Sequence, residues 1–179
     1  MNPSALEQLQ YPIGKFVWDT DPTVEIIQEG ISTIKNFPKK LNKVVDTLDT
    51  PTLLNRYRPE GWTIAQVVHH VADSHMHSYL RFKHALLEDF PSIKDYQEVQ
   101  WAELPDAKNH QIDYSLDIIS ALHKRWVIFL EGMSKEDFKR SYFHPERQKK
   151  YPLDVTLLIY AWHCEHHLAH IKNAIETGY

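Results

Sequence analysis

Histidine is concentrated in two short stretches of the sequence. The stretch AWHCEHHLAHI, from Ala161 to Ile171, holds four histidines within eight residues. The stretch from Trp62 to Leu87 holds five more, so nine of the twelve histidines of the chain lie in these two places. Neutral imidazole is the commonest metal ligand in proteins. The concentration therefore predicts a metal site that draws ligands from both stretches.

The later stretch offers two pairs of histidines four residues apart, which on a helix share one face and can bind the same ion. At about 100° per residue, His167 falls on the shoulder of the apolar stripe and His163 lies just beyond it. His166 is predicted to point away from the stripe, toward solvent. The pair His163 and His167 is therefore the better internal site, and His170 is a candidate to contact one of these ligands from outside.

The earlier stretch has to supply the remaining ligand, and four of its histidines are candidates: His69, His70, His75 and His77. Periodicity favours His75, which lies on the apolar stripe. His70 lies on a mixed face, which suits a cleft wall as well as open solvent. A single helical histidine is more often a surface or core residue than a ligand, and the spacing leaves the choice open.

Other common metal and nucleophile patterns are missing from the sequence. There is no H-E-x-x-H motif, because Glu165 follows His163 by two positions, and there is no Glu-x-x-His of the kind that di-iron bundles use. Cys164 is the only cysteine, so a cysteine-rich structural zinc site is impossible. No nucleophile elbow supports a serine triad. These exclusions leave a mononuclear site with three histidine ligands and an open coordination position.

Two long amphipathic helices are predicted in the first half of the chain. The first opens at Asp21-Pro22, with Asp21 as the predicted cap and Pro22 as the first helical residue. It has apolar residues at helical spacing as far as Leu48, with a kink or break expected near Pro38. The second opens at Thr63, and Gln66 three residues later completes a capping-box pattern.

Two further helices are predicted in the second half, from about Ser115 to Leu130 and from about Leu153 to Thr177, where Gly178 marks a normal helix end. The segment before the last helix has room for a helical turn and a small hairpin. Four amphipathic helices in 179 residues predict an all-α four-helix bundle with long connections, as a single domain over 1–179.

The composition is that of an ordinary globular protein, with 42% hydrophobic residues, 25% charged residues and a formal net charge of −4. No block of like charge suggests a nucleic-acid partner. No apolar run approaches the roughly 20 residues of a membrane helix, and the N-terminal residues do not resemble a signal peptide. We therefore expect a cytoplasmic protein.

Several segments together resemble the DinB-like superfamily, specifically its YfiT-like branch of bacillithiol S-transferases and metal-dependent hydrolases. They are YPIGKF, GWTIAQVVHHVADSHMHSYLRFKHAL, LHKRWV, FHPE and YAWHCEHHLAHI, and they span Tyr11 to about Ile171 in order. The resemblance implies a four-helix bundle that holds one divalent metal ion per chain, zinc first and nickel as the alternative. Proteins of this branch are often homodimers.

The resemblance also implies which histidines hold the metal. The family takes one ligand from an H-x-x-D context in the second helix, which here is HVAD and identifies His70 followed by Asp73. The other two lie four apart in the last helix, which identifies His163 and His167. This agrees with the pair chosen from periodicity and replaces His75 by His70.

Three neutral imidazoles leave the metal its full charge and an open position, where a bound water becomes acidic and a bound thiol ionises. The resemblance implies transfer of a low-molecular-weight thiol of the bacillithiol type to electrophilic small molecules. A metal-dependent hydrolase and a non-catalytic metal-binding stress-response protein are the alternatives. Candidates for support around the ligands are Asp73, His77, Arg81 and His170, whereas Trp62, Trp126 and Trp162 are expected in the core.

Overall fold

The computed structural model describes residues 3–19 and 21–179, and within these ranges it contains eight helices and one two-stranded sheet. In chain order the elements are α1 (Pro3–Gln10), α2 (Val24–Val45), α3 (Thr50–Leu53), α4 (Ile64–Leu87), α5 (Glu98–Trp101), α6 (Asp113–Glu131), α7 (Lys135–Lys139), β1 (Ser141–His144), β2 (Lys149–Pro152) and α8 (Leu153–Thr177).

The four long helices α2, α4, α6 and α8 form a bundle, which confirms the predicted all-α class. Each of α2 and α4 packs against both α6 and α8. The two helices that carry the histidine-rich stretches, α4 and α8, are therefore neighbours. Among the residues that the structure describes, no helix combines the length and the apolar composition needed to cross a bilayer.

Side-chain and glycine caps fix the ends of the helices that carry the histidines. At the start of α4, Thr63 accepts the backbone N–H of Gln66 at 3.1 Å and the Gln66 amide oxygen accepts the N–H of Thr63 at 3.0 Å, so the capping box is confirmed. The last helix ends at Gly178 in a left-handed conformation, as the sequence indicates. The first long helix starts two residues later than predicted, at Val24 and not at Pro22, because Thr23 and not Asp21 caps its first turn.

The expected break at Pro38 is wrong, since α2 runs through this proline as one helix. Phe37 and Leu41 on either side are fully buried, and their packing holds the helix together where proline removes a hydrogen bond. The bond that is lost would have joined the N–H of residue 38 to the carbonyl of Ile34. That carbonyl instead accepts a hydrogen bond of 2.7 Å from Nδ1 of His123 on α6.

The segment before α8 contains the predicted helical turn and hairpin. The turn is α7, and the hairpin is the antiparallel pair β1 and β2, in which Tyr142 lies opposite Tyr151. The short helix α1 was not predicted. Together with the residues that follow it, α1 lies along α8, where the indole N–H of Trp162 donates to the carbonyl of Gly14 at 3.3 Å.

Candidate metal centre

Three histidines converge where α4 and α8 face each other. Nε2 of His163 lies 3.3 Å from Nε2 of His70 and 3.1 Å from Nε2 of His167. All three residues offer ligand atoms within 4.8 Å of one another. With Zn–N bonds of about 2.0–2.1 Å, two ligands of a tetrahedral zinc ion lie about 3.3 Å apart. The spacing of the nitrogens therefore fits a single small divalent ion held by three imidazoles.

Burial keeps these imidazoles in the neutral form that binds metals. His70 and His167 are 6% and 7% exposed. Burial, and then the neighbouring His166, lower the pKa of His70 to about 4. Burial and the other histidines of the cluster hold the pKa of His163 and that of His167 well below the usual value. No proton has to be removed at neutral pH before an ion can bind.

Two of the ligands make contacts through their second ring nitrogen that orient the ring. Nδ1 of His70 lies 3.4 Å from the hydroxyl of Tyr96, in the long connection after α4. Nδ1 of His167 lies 3.4 Å from Nδ1 of His170, whose Nε2 donates to the carbonyl of Gln10 at 3.2 Å. Such outer contacts fix the tautomer and orientation of metal-binding histidines. His170 thus contacts a ligand from outside, at the place where periodicity had put it.

Asp73 does not take the orienting role that its position after His70 suggested. Within the described residues it makes no hydrogen bond to His70, and the hydroxyl of Tyr96 occupies that position instead. Asp73 is half-buried, and burial, followed by the charge of Asp106, raises the pKa of its carboxyl to about 6. This carboxylate can therefore accept a proton near neutral pH.

His77 and Arg81 lie on the same face of α4 but are engaged with other parts of the protein. The ring of His77 stacks on that of Tyr96 with centroids 4.3 Å apart. Arg81 is only 8% exposed, forms an ion pair of 3.3 Å with Asp95 and donates to the hydroxyl of Tyr160 at 3.4 Å. Its guanidinium already has a carboxylate partner inside the protein.

His75, which periodicity favoured as the third ligand, lies behind the cluster. Its Nε2 is 3.1 Å from Nδ1 of His163, the nitrogen on the far side of that ring from the converging Nε2 atoms. His75 is fully buried and faces the core. The structure thus brings together the set that the resemblance implied and places His75 as a neighbour of one ligand.

The prediction that His166 points to solvent is wrong, since this residue is only 7% exposed. Its ring stacks on Trp162 at 4.2 Å between centroids and lies 6.1 Å from the ring of Tyr11. The N-terminal segment covers this side of α8. A polar helix face that is buried by a distant part of the chain looks the same in sequence as one that faces water.

A second histidine group on α8 shares a ligand with the first. His166, His167 and His170 also bring ligand atoms within 4.8 Å of one another. Once Nε2 of His167 binds an ion, its Nδ1 carries the proton that faces His170. The two groups therefore compete for His167, and we expect one ion per chain.

Of the three tryptophans expected in the core, only one is fully buried. Trp126 is 0% exposed and confirms the expectation. Trp62 is half-buried and lies against the ring of His70 with centroids 4.7 Å apart, and Trp162 is half-buried against His166. Tyr96 was not singled out in the sequence, where nothing in its loop indicates that it reaches α4.

Known proteins match this chain over most of its length. The model of the DinB superfamily matches residues 34–171. A protein of Bacillus cereus is 47% identical over 168 residues, covering 94% of this chain and 96% of the relative. A protein of Bacillus anthracis is 46% identical with the same coverage. Both are provisionally named metal-dependent hydrolases.

A solved structure agrees with the bundle and its connections. YfiT from Bacillus subtilis, described as "a probable metal-dependent hydrolase with an unusual four-helix bundle topology", superposes with a TM-score of 0.92. It is 38% identical, and the match covers 94% of this chain and 97% of that one.

Proposed function

The chain belongs to the DinB superfamily, and on that premise we propose that it is a metal-dependent enzyme that transfers a low-molecular-weight thiol to electrophilic small molecules. The thiol is of the bacillithiol type, and the electrophiles include epoxides and related reactive compounds. One divalent ion per chain, zinc or in its place nickel, serves the reaction.

The observation that carries this proposal is the convergence of three neutral imidazoles from two helices at the spacing of tetrahedral ligands. Structural zinc sites have four protein ligands, whereas catalytic sites have three and an open position. A divalent ion in such a position supplies Lewis acidity, which favours the ionised form of a thiol or of water. The number of protein ligands thus supports catalysis over a purely structural role.

The chain's own residues would orient the ligands and accept the proton. Tyr96 and His170 hold the rings of His70 and His167 through their Nδ1 atoms. Asp73, one turn after His70 and with a pKa raised to about 6, would accept the thiol proton at its carboxylate. The thiol sulfur forms a bond to an electrophilic carbon of the substrate, and the bonding electrons leave with the displaced atom or with the opened epoxide oxygen.

Hydrolysis is the second candidate, and the names of the relatives favour it. It uses the same residues, with water in place of the thiol and Asp73 as the group that accepts its proton. The two reactions differ in the nucleophile that the pocket admits, so a comparison of substrates distinguishes them. A protein that only binds metal would catalyse neither reaction.

The proposal includes a cytoplasmic homodimer. Cys164 is a buried free thiol, the state that a reducing compartment maintains. The outer face of α6 exposes large apolar side chains, with Tyr114 74% and Ile128 73% exposed. An apolar helix face of this kind supports association through α6.

The first prediction is that chelation abolishes turnover and that zinc or nickel restores it. Conjugation of bacillithiol to monochlorobimane is measured by fluorescence, and hydrolysis of p-nitrophenyl acetate is measured in parallel. Asp73→Asn is expected to reduce the rate of the preferred reaction by about 10²–10⁴-fold, the usual contribution of a general base. Metal content should be unchanged in this variant, because Asp73 is not a ligand.

Each result decides between the candidates. Conjugation that depends on the metal supports thiol transfer, and ester hydrolysis alone supports the hydrolase. Rates that are unchanged after complete metal removal would contradict both enzymatic proposals. A protein that binds the ion tightly but catalyses neither reaction would favour the non-catalytic alternative.

A further inference from the structure

We propose that His75 and His123 are positioning residues which hold His163 in the tautomer that directs its Nε2 at the metal. The inference rests on the proposed metal site and extends it to two histidines outside the ligand set. It assigns a purpose to the buried histidines that lie between the site and α2.

The three histidines form a continuous chain of hydrogen bonds through the bundle. Nδ1 of His163 lies 3.1 Å from Nε2 of His75. Nδ1 of His75 lies 2.7 Å from Nε2 of His123, and Nδ1 of His123 lies 2.7 Å from the carbonyl oxygen of Ile34. In each of the three rings, Nδ1 therefore bonds the next group toward α2. In His75 and His123, Nε2 bonds the preceding ring, on the side of the metal site.

The carbonyl at the end of the chain sets the direction of all three bonds. A carbonyl oxygen only accepts, so Nδ1 of His123 has to carry the proton. In a neutral ring the Nε2 is then an acceptor, which requires the proton of His75 on its Nδ1. The same step places a proton on Nδ1 of His163 and leaves its Nε2 lone pair free to bind an ion.

Pro38 explains why this carbonyl is available. In an uninterrupted helix the N–H of residue 38 would donate to the carbonyl of Ile34, but proline has no N–H. The carbonyl of Ile34 therefore lacks its helical partner and accepts a hydrogen bond from the Nδ1–H of His123. The proline that should have broken α2 instead provides the fixed acceptor for the chain.

Packing prevents the rings from flipping and so reversing the direction of these hydrogen bonds. His75 and His123 are 0% and 1% exposed, so water does not offer another partner. Phe37 stacks on His123 at 5.6 Å and lies 5.8 Å from His75, and Trp126 contacts both rings edge-on. Burial also disfavours the charged form of both rings, in agreement with one proton on each.

The tautomers can be read directly in the zinc-loaded wild-type protein. Long-range ¹H–¹⁵N correlation spectra of histidine-labelled protein distinguish a protonated Nδ1 from a protonated Nε2. We expect His163, His75 and His123 all to carry the proton on Nδ1. A proton on Nε2 of His75 or of His123 would overturn the proposal, and no variant has to fold for this test.

Variants then test what the chain contributes to metal binding, measured as zinc affinity by competition with a chromophoric chelator. His75→Phe keeps a ring in the core but leaves the buried Nδ1–H of His163 without an acceptor. The expected loss of zinc affinity is about 10–100-fold, as for other outer partners of metal ligands. His75→Gln, whose amide both accepts and donates, should recover part of this loss.

His69 provides the matched control on the same helix. It is 9% exposed and also bonded at both nitrogens, to the hydroxyl of Ser115 at 2.8 Å and the carbonyl of Asn109 at 2.9 Å, so neither of its ring nitrogens bonds a ligand ring. His69→Phe should keep wild-type zinc affinity. Equal losses in the two Phe variants, or no loss in His75→Phe, would refute the role of the chain. The readout is binding and not turnover, so a failure of the proposed reaction leaves it unaffected.

Discussion

Replacing His163 with alanine is expected to remove tight metal binding and, with it, metal-dependent turnover. The Nε2 atom of His163 lies close to both other ligand atoms, 3.3 Å from Nε2 of His70 and 3.1 Å from Nε2 of His167. Loss of an outer partner alone costs about 10–100-fold in metal affinity, so the loss of a ligand should exceed about 100-fold. Elemental analysis and chelator competition on the purified variant measure the effect, and His167→Ala should behave in the same way.

Two comparisons make this prediction specific. His84 lies on α4 with its side chain 55% exposed and pairs with Glu88 one turn later, so His84→Ala should keep both metal and activity. His75→Ala should weaken binding only partly, because His75 is not a ligand. Full loss of metal from His75→Ala together with retention in His163→Ala would contradict the ligand assignment.

Acid is expected to unfold the metal-free protein within a narrow pH range below about 6. Seven histidines are held neutral by burial. It lowers the pKa of three of them to about 4, that of His170 to about 3, and that of the other three well below the usual value. They are His70, His75, His123, His163, His166, His167 and His170.

The sign follows from which state binds protons. Below the ordinary histidine pKa of about 6.5 the unfolded chain binds protons that the folded chain does not, so stability falls as pH falls. Each group contributes up to about 1.4 kcal/mol per pH unit, and seven together approach about 10 kcal/mol per unit. Total stabilities of domains are about 5–15 kcal/mol, so a drop of about one unit is enough to unfold the chain.

Circular dichroism of the chelated protein between pH 8 and 4 measures this transition. The chelated protein should keep its helices at pH 7, since the three ligands join only two of the four long helices and the core is apolar. The unfolding should be steep, with uptake of several protons, and zinc should shift it to lower pH by binding only the folded state. A chelated protein that keeps its full helical signal at pH 4 would show that these histidines are not buried as described.

The parts of the fold that follow local rules were predictable from sequence. The capping box at Thr63 and Gln66 predicts the start of α4, and the glycine at 178 predicts the end of α8. The pair His163 and His167 followed from helical spacing and the apolar stripe. These features depend on residues within one or two turns of each other, and the sequence contains that information directly.

The remaining features depend on contacts between distant segments. His166 is buried because residues near Tyr11 cover α8, and Tyr96 reaches His70 from a long connection. Neither contact has a periodicity that a single sequence displays. Pro38 removes one helical hydrogen bond, which alone predicts a break. The packing of its neighbours and the hydrogen bond from His123 to the freed carbonyl keep α2 continuous, and both depend on other helices.

The choice between His70 and His75 shows the same limit. Both lie on α4, and the apolar stripe favoured the residue that the structure places behind His163. A core position suits a histidine that supports a ligand as well as one that binds the ion. Only the position of α8 relative to α4 shows which of the two histidines faces the metal. From the sequence, His70 could be chosen only through the family resemblance.

The most direct test of the metal centre is anomalous diffraction from crystals of the zinc-loaded protein, recorded above and below the zinc absorption edge. We predict one anomalous peak per chain, between the Nε2 atoms of His70, His163 and His167 and within about 2.0–2.1 Å of each. A peak bound by His166 and His170, or no ordered zinc at the three-histidine cluster, would contradict the account.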